Sequence, residues 1–327
     1  MIYDDKIVLI TGGTGTVGKA MTNFILQNSK VKQLVLISRN EYNQVIFKRE
    51  LVESFGSDVL LKIRFVLCDI CDYQMLKNAF INVNIVIHTA ALKHIDLCEK
   101  NIENAIKINV DGTKNIISLC VDNNVEKAII MSTDKACAPS SVYGASKLIS
   151  ERIFLDANKQ GVTKFSVLRC GNIAGSSGSV IPLFKYLIKN GATTLPITDK
   201  NMSRFWLSIY DVTYYLNLIL QSMEGGEVVI PKMPSFKLVD LVEALLGKPI
   251  YEIINLRKGE KIDEKIFNEN CNIYENNKYY IECNSQFVPS KDFLKKYKRV
   301  FDLKYSTNQN SVWLSMEEIK NLIKDIN

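Results

Sequence analysis

The 327-residue sequence lacks the features that mark membrane, metal-binding and nucleic-acid-binding proteins. Its longest apolar stretches, at 83–92 and 180–184, are well short of the roughly 18 residues that a membrane-spanning helix needs. Its two histidines, His88 and His94, have no serine, cysteine or metal-ligand partners nearby, so we expect structural roles for both. The net charge of +6, from 41 basic and 35 acidic residues, is spread along the chain instead of forming a basic arm. This composition predicts a globular protein, and a small anionic ligand suits its charge.

Disulfide and export signals are also missing. Eight cysteines are scattered through apolar segments, a pattern typical of a reducing compartment. Cys68 and Cys71 form a Cys-x-x-Cys pair, but no second pair or nearby histidine completes a zinc site, so we assign them no role. The N-terminus leads into an apolar strand without the basic region, apolar run and cleavage site of a signal peptide. We therefore expect a cytoplasmic protein with no nucleic-acid or membrane partner.

The first half of the chain alternates between short β-branched apolar runs and longer segments with helical spacing. Continuous apolar strands separated by helices are typical of a parallel sheet that is covered on both faces. The sequence therefore predicts an α/β fold with a doubly wound parallel sheet. The predicted strands are Lys6–Thr11, Gln33–Ser38, Leu61–Leu67, Ile85–Thr89, Lys127–Ser132 and Lys164–Arg169.

This alternation stops near Asn172, where glycines and a proline crowd together and the later segments become shorter. We predict a smaller lobe of mixed α/β structure after that point. The stretch Ser203–Met223 has helical spacing and is expected to pack back on the first domain. The predicted division is a Rossmann domain at 1–172, joined by 203–230, and a smaller substrate-binding lobe at 173–202 and 231–327.

A glycine-rich loop, Thr11–Gly18, follows the first predicted strand and opens a helix near Thr16. Glycines at 12, 15 and 18 allow a tight turn, close approach of the backbone to a pyrophosphate, and tight packing of helix on strand. The helix N-terminus then stabilises the phosphate charge. The loop predicts a dinucleotide site, with an ordinary glycine turn as the alternative. Its candidate cofactor-binding residues are Gly12, Thr14, Gly15, Thr16, Val17 and Gly18.

The ends of the next strands add further cofactor candidates. Ser38 and Arg39 stand where a protein specific for NAD usually carries an acid, and an arginine there suits the 2′-phosphate of NADP. A solvated surface arginine is the alternative. Position alone places Asp69 and Ile70 near the adenine, and Ala90 and Ala91 beside the nicotinamide ribose.

The stretch from Ser132 to Lys147 contains the candidate catalytic residues. Tyr143 and Lys147 are four residues apart at a predicted helix start, so they share one face. A lysine ammonium favours the phenolate and lowers a tyrosine pKa from about 10 toward the range useful for proton abstraction. The Tyr-x-x-x-Lys spacing alone is common in helices. Together with the glycine loop and a Ser/Thr at the end of the fifth strand, it indicates a short-chain dehydrogenase/reductase site.

These motifs identify a resemblance to the extended short-chain dehydrogenases/reductases, and within them to the inverting UDP-N-acetylglucosamine 4,6-dehydratases. The resemblance covers nearly the whole chain. It also rests on 88–93, 132–135, 171–172, 196–199, 202–205, 231–235, 257–261, 305–308 and 313–314. Four positions depart from the family pattern. They are Ala138 and Ser141 in place of asparagines, Lys258 in place of a proline, and Asp263 in place of a histidine.

The resemblance implies a lyase that uses NADP as its cofactor. Tyr143 would take the proton of the carbon-4 hydroxyl as hydride leaves carbon 4, with Thr133 hydrogen-bonding nearby. Lys135 would remove the carbon-5 proton and Asp134 would protonate the departing carbon-6 hydroxyl. The product would be UDP-2-acetamido-2,6-dideoxy-L-arabino-hexos-4-ulose, for amino-sugar and glycan biosynthesis. Two alternatives are a UDP-sugar 4-epimerase, which has no need of the Asp134–Lys135 pair, and a non-catalytic NADP-binding regulator.

The resemblance also supplies the remaining site residues. Candidates for UDP-GlcNAc binding are Lys93, Asn172, Thr198, Arg204, Arg257 and Glu260. A surface salt bridge is the alternative for the charged ones. Candidates for the cofactor site include Lys93, Asn109, Tyr143 and Lys147. The superfamily resemblance implies a homo-oligomer, dimer or hexamer, built on the Tyr143 helix and the preceding helix, Ile102–Val121.

Overall fold

Ten strands of the described chain form one large sheet, with helices on both of its faces. This computed structural model describes residues 1–176, 178–268, 271–283, 287, 289–301, 303–324 and 326. The helices are α1 Thr16–Asn28, α2 Glu41–Phe55, α3 Tyr73–Ala79, α4 Ile95–Lys100, α5 Ile102–Ile106, α6 Gly112–Asp122, α7 Val142–Asp156, α8 Val180–Lys189, α9 Ile209–Ser222, α10 Leu238–Leu246, α11 Lys291–Lys296 and α12 Met316–Lys324. The strands are β1 Ile7–Thr11, β2 Gln33–Ser38, β3 Ile63–Leu67, β4 Ile85–His88, β5 Lys127–Thr133, β6 Lys164–Cys170, β7 Asn172–Ile173, β8 Leu195–Ile197, β9 Ser203–Leu207, β10 Glu227–Pro231, β11 Ser235–Lys237, β12 Tyr251–Ile253, β13 Asn272–Glu275, β14 Tyr279–Cys283 and β15 Lys298–Val300.

The large sheet has the order β15-β13-β14-β10-β6-β5-β4-β1-β2-β3. All six predicted strands are present, each within two residues of its predicted bounds, and they pair in parallel. Strands β1 and β4 are neighbours although β2 and β3 lie between them in sequence, so the chain winds outward in both directions from this point. The predicted doubly wound α/β fold is confirmed, and a crevice is expected at the carboxyl ends of β1 and β4.

The large sheet extends beyond the predicted Rossmann domain. β10 pairs in parallel with β6, and β14, β13 and β15 continue the sheet as antiparallel strands. Strands β13, β14 and β15, which the predicted division puts in the smaller lobe, therefore belong to the large sheet. The free edge of β10 explains this placement, because an unpaired edge exposes backbone donors and acceptors that β14 satisfies over five residues.

The smaller lobe has its own apolar core. Helices α8, α10 and α12 pack there around Trp206 and Phe236, whose rings meet edge to face at 4.3 Å. Two small sheets, β11-β9-β7 and β12-β8, belong to this region. Part of the helix predicted over Ser203–Met223 is strand β9, because all five of its residues are buried and it pairs with both β7 and β11. Ser208 then caps α9, which packs on α1, β5 and β6 as expected.

The predicted helix Ile102–Val121 is interrupted by a turn of π-helix at Lys107–Asp111, between α5 and α6. The turn contains Asn109, which the wider helical turn directs toward α7. No helix in the described part of the chain is long and apolar enough to cross a membrane. All eight cysteines have free thiols, and the described residues contain no cluster of side chains suited to a metal ion.

Candidate active site

A cleft of about 610 Å³ opens where the carboxyl ends of the central parallel strands face the smaller lobe. A recess of about 140 Å³, lined by residues of the smaller lobe, adjoins it. The predicted site residues that line the cleft are Gly12, Gly15, Thr16, Val17, Ala90, Ala91, Lys93, Thr133, Lys135, Tyr143, Lys147, Asn172, Arg204, Arg257 and Glu260. Thr198 lines the recess. The predicted site residues outside the cleft lining are Thr14, Gly18, Ser38, Arg39, Asp69, Ile70, Asn109 and Asp134.

The glycine loop lies at one end of the cleft. Gly12 has φ +67°, and a Cβ there would lie 2.8 Å from Oγ1 of Thr89 on the neighbouring strand end. A Cβ on Gly18 would lie 2.3 Å from the carbonyl oxygen of Gly12, so this loop closes only with glycine at both positions. The N-cap of α1 is Gly15, which has no side chain to cap the helix, and the first turn of α1 carries no acid. Such a helix start fits a dinucleotide pyrophosphate.

Arg39 and Asp69 meet at the ends of β2 and β3, with Nη1 3.4 Å from Oδ2. Both side chains are exposed, so Arg39 is open to a further anion. Partial burial would raise the pKa of Asp69, but the hydrogen bond from the Cys71 amide and the charge of Arg39 outweigh it and lower that pKa. Ser38 accepts a hydrogen bond from Gln44 Nε2 at 2.9 Å, which fixes the turn that presents Arg39.

Helix α7 presents Tyr143 and Lys147 to the cleft, one turn apart. Ser141 caps the helix by accepting from the Gly144 amide at 3.1 Å, so this departure from the family pattern has a structural role. Glu99 of α4 accepts from the Val142 amide at 2.7 Å. Two partners thus fix the helix start that orients Tyr143.

The expected lowering of the Tyr143 pKa is wrong for this structure. Burial dominates and raises the pKa of Tyr143 above its usual value, and Lys135, not Lys147, is the cation that partly opposes the rise. Burial lowers the pKa of Lys147 to about 8, against the opposing charge of Glu151 one turn further along α7. Both catalytic candidates therefore lie in an apolar, water-poor environment that favours their neutral forms.

Lys135 lies between two buried carboxylates at the floor of the cleft. Its Nζ is 2.9 Å from Oδ1 of Asp134 and 3.4 Å from Oε1 of Glu264, and it also donates to Oδ1 of Asn172 at 3.3 Å. Burial alone would lower the pKa of Lys135, but the charges of Asp134 and Glu264 outweigh burial and raise it above its usual value. Thr133 donates to the same Asp134 oxygen at 2.9 Å, and Thr133, Asp134 and Lys135 are all close enough to Tyr143 to affect its pKa. The predicted Thr133, Asp134, Lys135 and Tyr143 thus form one connected group.

Asn109 lies outside the cleft lining and makes hydrogen bonds to two of the elements that surround the cleft. Its side chain accepts from the Leu92 amide at 2.8 Å, and donates to the Leu92 carbonyl and to the Ser146 hydroxyl. It therefore joins the loop after β4 to α7. His88 is fully buried between Thr11 and Thr113, and burial lowers its pKa to about 3, in agreement with a structural role. His94, by contrast, lines the cleft.

The candidate substrate-binding residues differ in how much other residues already hold their side chains. Arg204 is buried and donates to the carbonyls of Lys261 and Ile262 at 2.7 and 2.8 Å, so most of its guanidinium holds the 257–264 segment in place. Arg257 is exposed and lines both the cleft and the recess, and its side chain makes no ion pair with a described residue. Glu260 accepts from the Arg257 amide at 3.3 Å.

Sequence reasoning missed Glu264, which lines the cleft and contacts Lys135. The only signal for it is its place three residues after Lys261, at the end of the 257–261 motif. It also missed how the 257–264 segment packs against the start of α7. Lys261 Nζ donates to the Cys137 carbonyl at 2.9 Å, and Lys258 pairs with Glu99 at 3.2 Å. The departure at Lys258 thus supplies a contact to Glu99, the α4 residue that accepts from the Val142 amide at the start of α7.

Comparisons with known proteins agree with this geometry. Residues 8–284 match the family model described as polysaccharide biosynthesis protein. The chain is 39% identical over 335 residues to a UDP-N-acetylglucosamine 4,6-dehydratase (inverting) of Campylobacter jejuni, covering 98% of each chain. It is 32% identical to a UDP-glucose 4-epimerase of Rickettsia typhi, over 98% of this chain and 96% of that one. Among solved structures, it resembles Pen from Bacillus thuringiensis with a TM-score of 0.90 and 34% identity, over 99% of each chain.

Proposed function

Because the chain belongs to the polysaccharide biosynthesis protein family of extended short-chain dehydrogenases/reductases, we propose that it is an NADP-dependent 4,6-dehydratase of UDP-N-acetylglucosamine that inverts carbon 5. One observation carries the proposal. Lys135 lines the cleft and pairs with buried Asp134 directly behind it, while Thr133, which donates to the same Asp134 oxygen, and Tyr143 line the cleft beside them. Oxidation at carbon 4 needs Tyr143 alone, whereas elimination across carbons 5 and 6 needs a second base and an acid. The pair supplies both in one place.

The cofactor proposal rests on the residues of the first half of the chain. The close-packed glycines and the start of α1, with its glycine N-cap and no acid in the first turn, fit a pyrophosphate, and exposed Arg39 fits the 2′-phosphate of NADP. A bound NADP would supply the site with hydride transfer, from carbon 4 and back to carbon 6. Lys147, directed into the same cleft one turn from Tyr143, would hold the nicotinamide ribose with its ammonium donors.

Tyr143 acts on the carbon-4 hydroxyl in this proposal. Its buried phenol is neutral in the free protein, so it becomes a base only when positive charge in the closed site stabilises the phenolate. Lys135 already contributes in that direction. Thr133, which lines the cleft with Tyr143, would hydrogen-bond near carbon 4. Once carbon 4 is a ketone, the proton on carbon 5 becomes acidic enough for an amine to remove.

The elimination is assigned to Lys135 and Asp134. Lys135 would take the carbon-5 proton, and Asp134 would protonate the carbon-6 hydroxyl as it leaves. Return of a proton to carbon 5 from the opposite face would invert that centre. The product would be the 4-keto-6-deoxy sugar nucleotide with the L-arabino configuration.

The nucleotide half of the substrate fits the smaller lobe. Arg257, exposed between the cleft and the recess, is the cation best placed for the diphosphate, because a guanidinium offers paired donors. We assign the recess beside Thr198 to the uracil and Lys93 with Asn172 to the sugar. Arg204 acts on the substrate chiefly by holding the 257–264 segment that carries Arg257 and Glu260.

The test is incubation with UDP-N-acetylglucosamine and NADP in deuterated water, followed by NMR of the product. We expect a 4-keto product with deuterium on carbon 5 and ring couplings of the inverted configuration. A 4-hydroxy epimer without deuterium would establish the epimerase alternative instead. Binding of NADP without any turnover would establish the regulator. Lys135→Ala is the matched variant, and it should bind NADP normally but release no 4-keto-6-deoxy product.

We also propose a cytoplasmic homo-oligomer. Helices α4, α5 and α7 are neighbours, and each exposes large apolar side chains at the surface. These side chains are Leu97, Ile102, Ile106 and Ile149. A patch of this kind on a catalytic helix is typical of an interface between copies of a chain. Light scattering distinguishes a dimer from a hexamer, and a monomer at micromolar concentration would refute the proposal.

A further inference from the structure

Lys135 has two carboxylate partners, although the roles proposed for elimination use only one. Oε1 of Glu264 lies 3.4 Å from Nζ of Lys135, on a different chain segment from Asp134. Glu264 is 2% exposed and lines the cleft. A buried carboxylate lowers the stability of the fold unless a nearby cation compensates its charge. Its contact with Lys135 therefore calls for a role.

The backbone of Glu264 is fixed by Thr307. The Glu264 amide donates to Oγ1 of Thr307 at 3.0 Å, and the Thr307 amide donates to the Glu264 carbonyl at 2.9 Å. The second carboxylate oxygen, Oε2, is buried and accepts no hydrogen bond from a described residue, and Lys261 Nζ lies 3.7 Å from it. These backbone hydrogen bonds hold Glu264 close to Lys135. Among the cations that pair with Glu264 in the described chain, Lys135 is nearer to the carboxylate than Lys261.

We infer that Glu264 is a positioning residue for the elimination, and that its negative charge keeps on the Asp134–Lys135 pair the one proton that the elimination uses. The inference rests on the proposed dehydratase function. Glu264 stabilises the ammonium form of Lys135, in which the pair stores this proton between turnovers. Without that proton, Asp134 has nothing to give to the departing carbon-6 hydroxyl.

The proton balance of the elimination is consistent with this assignment. Before elimination, one proton passes from Lys135 Nζ to Asp134 across their 2.9 Å hydrogen bond, which gives an amine and a carboxylic acid. The amine then takes the carbon-5 proton, and the electrons of that C–H bond form the C5–C6 double bond. The C6–O bond breaks, and the hydroxyl leaves as water with the Asp134 proton. The step ends with an ammonium and a carboxylate, the ion pair seen in the structure.

The other groups around Lys135 determine how its protonation responds to pH. Arg204 is the cation that opposes protonation of Lys135. Tyr143 and Cys170 also face it, and burial raises the pKa of each, that of Cys170 to about 12. Asp134 and Glu264 are therefore the two charges that keep the proton on the pair at alkaline pH. Loss of Glu264 leaves Asp134 as the single opposing charge against Arg204.

The experiment compares wild type with Glu264→Gln, which keeps the shape and removes the charge. Transient reduction of NADP reports oxidation at carbon 4, and deuterium entry at carbon 5 reports elimination. We expect Glu264→Gln to keep the first and to slow the second at least about 10-fold at alkaline pH, where the variant's Asp134–Lys135 pair has already lost its proton. The pH above which kcat falls, the alkaline limb of the profile, should be about 1–3 units lower in the variant than in wild type, with little change in KM.

Two further variants keep the test decisive. Glu264→Asp retains the charge and should restore the alkaline limb toward the wild-type position even if its rate is lower. Glu227→Gln removes another buried carboxylate that lies outside the cleft lining, and should leave the profile unchanged. An elimination rate and alkaline limb in Glu264→Gln equal to wild type would overturn the inference alone. A wild-type protein that makes no 4-keto product would instead overturn the proposed function, and this inference with it.

Discussion

Arg169 donates from Nη2 to Oε2 of Glu151 at 2.6 Å, and both side chains are almost completely buried. The same guanidinium donates from Nη1 to Glu282 of β14 at 2.6 Å and to the Ile266 carbonyl at 2.9 Å. Glu151 lies one turn beyond Lys147 on α7, so the network joins the catalytic helix, the parallel sheet and the antiparallel extension. It buries two carboxylates around one guanidinium.

We predict that Arg169→Met destabilises the protein by about 3–5 kcal/mol, because it leaves two buried carboxylates without their cation. The free energy of unfolding from urea denaturation measures the loss. Lys159→Met is the matched control, since Lys159 pairs with Asp156 at the exposed end of the same helix and should change stability by less than about 1 kcal/mol. Equal effects of the two substitutions would contradict the prediction.

Ala138 adopts a left-handed backbone conformation with φ 41° immediately before Pro139, in the loop that leads into α7. A side chain with a Cβ is strained there, and asparagine tolerates this region better than alanine does. We therefore expect Ala138→Asn to raise the free energy of unfolding by about 1 kcal/mol. Ala192→Asn is the control, because Ala192 has no positive φ and should gain nothing. Thermal or urea unfolding of both variants measures the difference.

The sequence predicted the parallel half of the sheet well because its strands are buried on both faces. Such strands are continuous apolar runs, and the glycine loop and the Tyr-x-x-x-Lys pair, which are also recognisable in the sequence, line the cleft that lies at their carboxyl ends. Strand β9 was mistaken for helix because a short apolar run has no distinct period, and only its pairing with β7 and β11 identifies it.

The charge partners in the site were beyond sequence reasoning for a different reason. Glu264 is 129 positions from Lys135, and Glu282 is 113 positions from Arg169. No local spacing relates residues so far apart, and their contact depends on how the C-terminal segments pack against the sheet.

Arg39 provides a direct test of cofactor choice. We expect Arg39→Ala to weaken binding of NADP about 10- to 100-fold, since a charge-assisted hydrogen bond contributes about 1.5–3 kcal/mol. Binding of NAD should change by less than about twofold, because NAD lacks the 2′-phosphate that the guanidinium would contact. Isothermal titration of both dinucleotides makes the comparison within one variant. A parallel loss for NAD and NADP would contradict the assignment of Arg39 to the 2′-phosphate.

Lys147 should make stability depend on pH in a narrow alkaline window. Burial lowers its pKa from 10.5 to about 8 in the folded protein, so between these values the unfolded chain binds more protons than the folded one. This lysine therefore makes stability rise with pH from about 8 to 10.5, by an amount on the order of 3 kcal/mol. Lys147→Met removes the titrating group and keeps an apolar side chain of similar length.

The difference in unfolding free energy between Lys147→Met and wild type isolates this effect from the buried tyrosines and cysteines that titrate in the same range. We expect the variant's advantage over wild type to be largest near pH 7 and to decline steadily above pH 8. The pH-independent part of this difference reflects changed packing and the loss of the cation next to Glu151. The change of the difference with pH therefore tests whether the pKa of Lys147 is lowered. A pH-independent difference would mean that Lys147 keeps its ordinary pKa, and that the floor of the cleft is wetter than the packing around α7 implies.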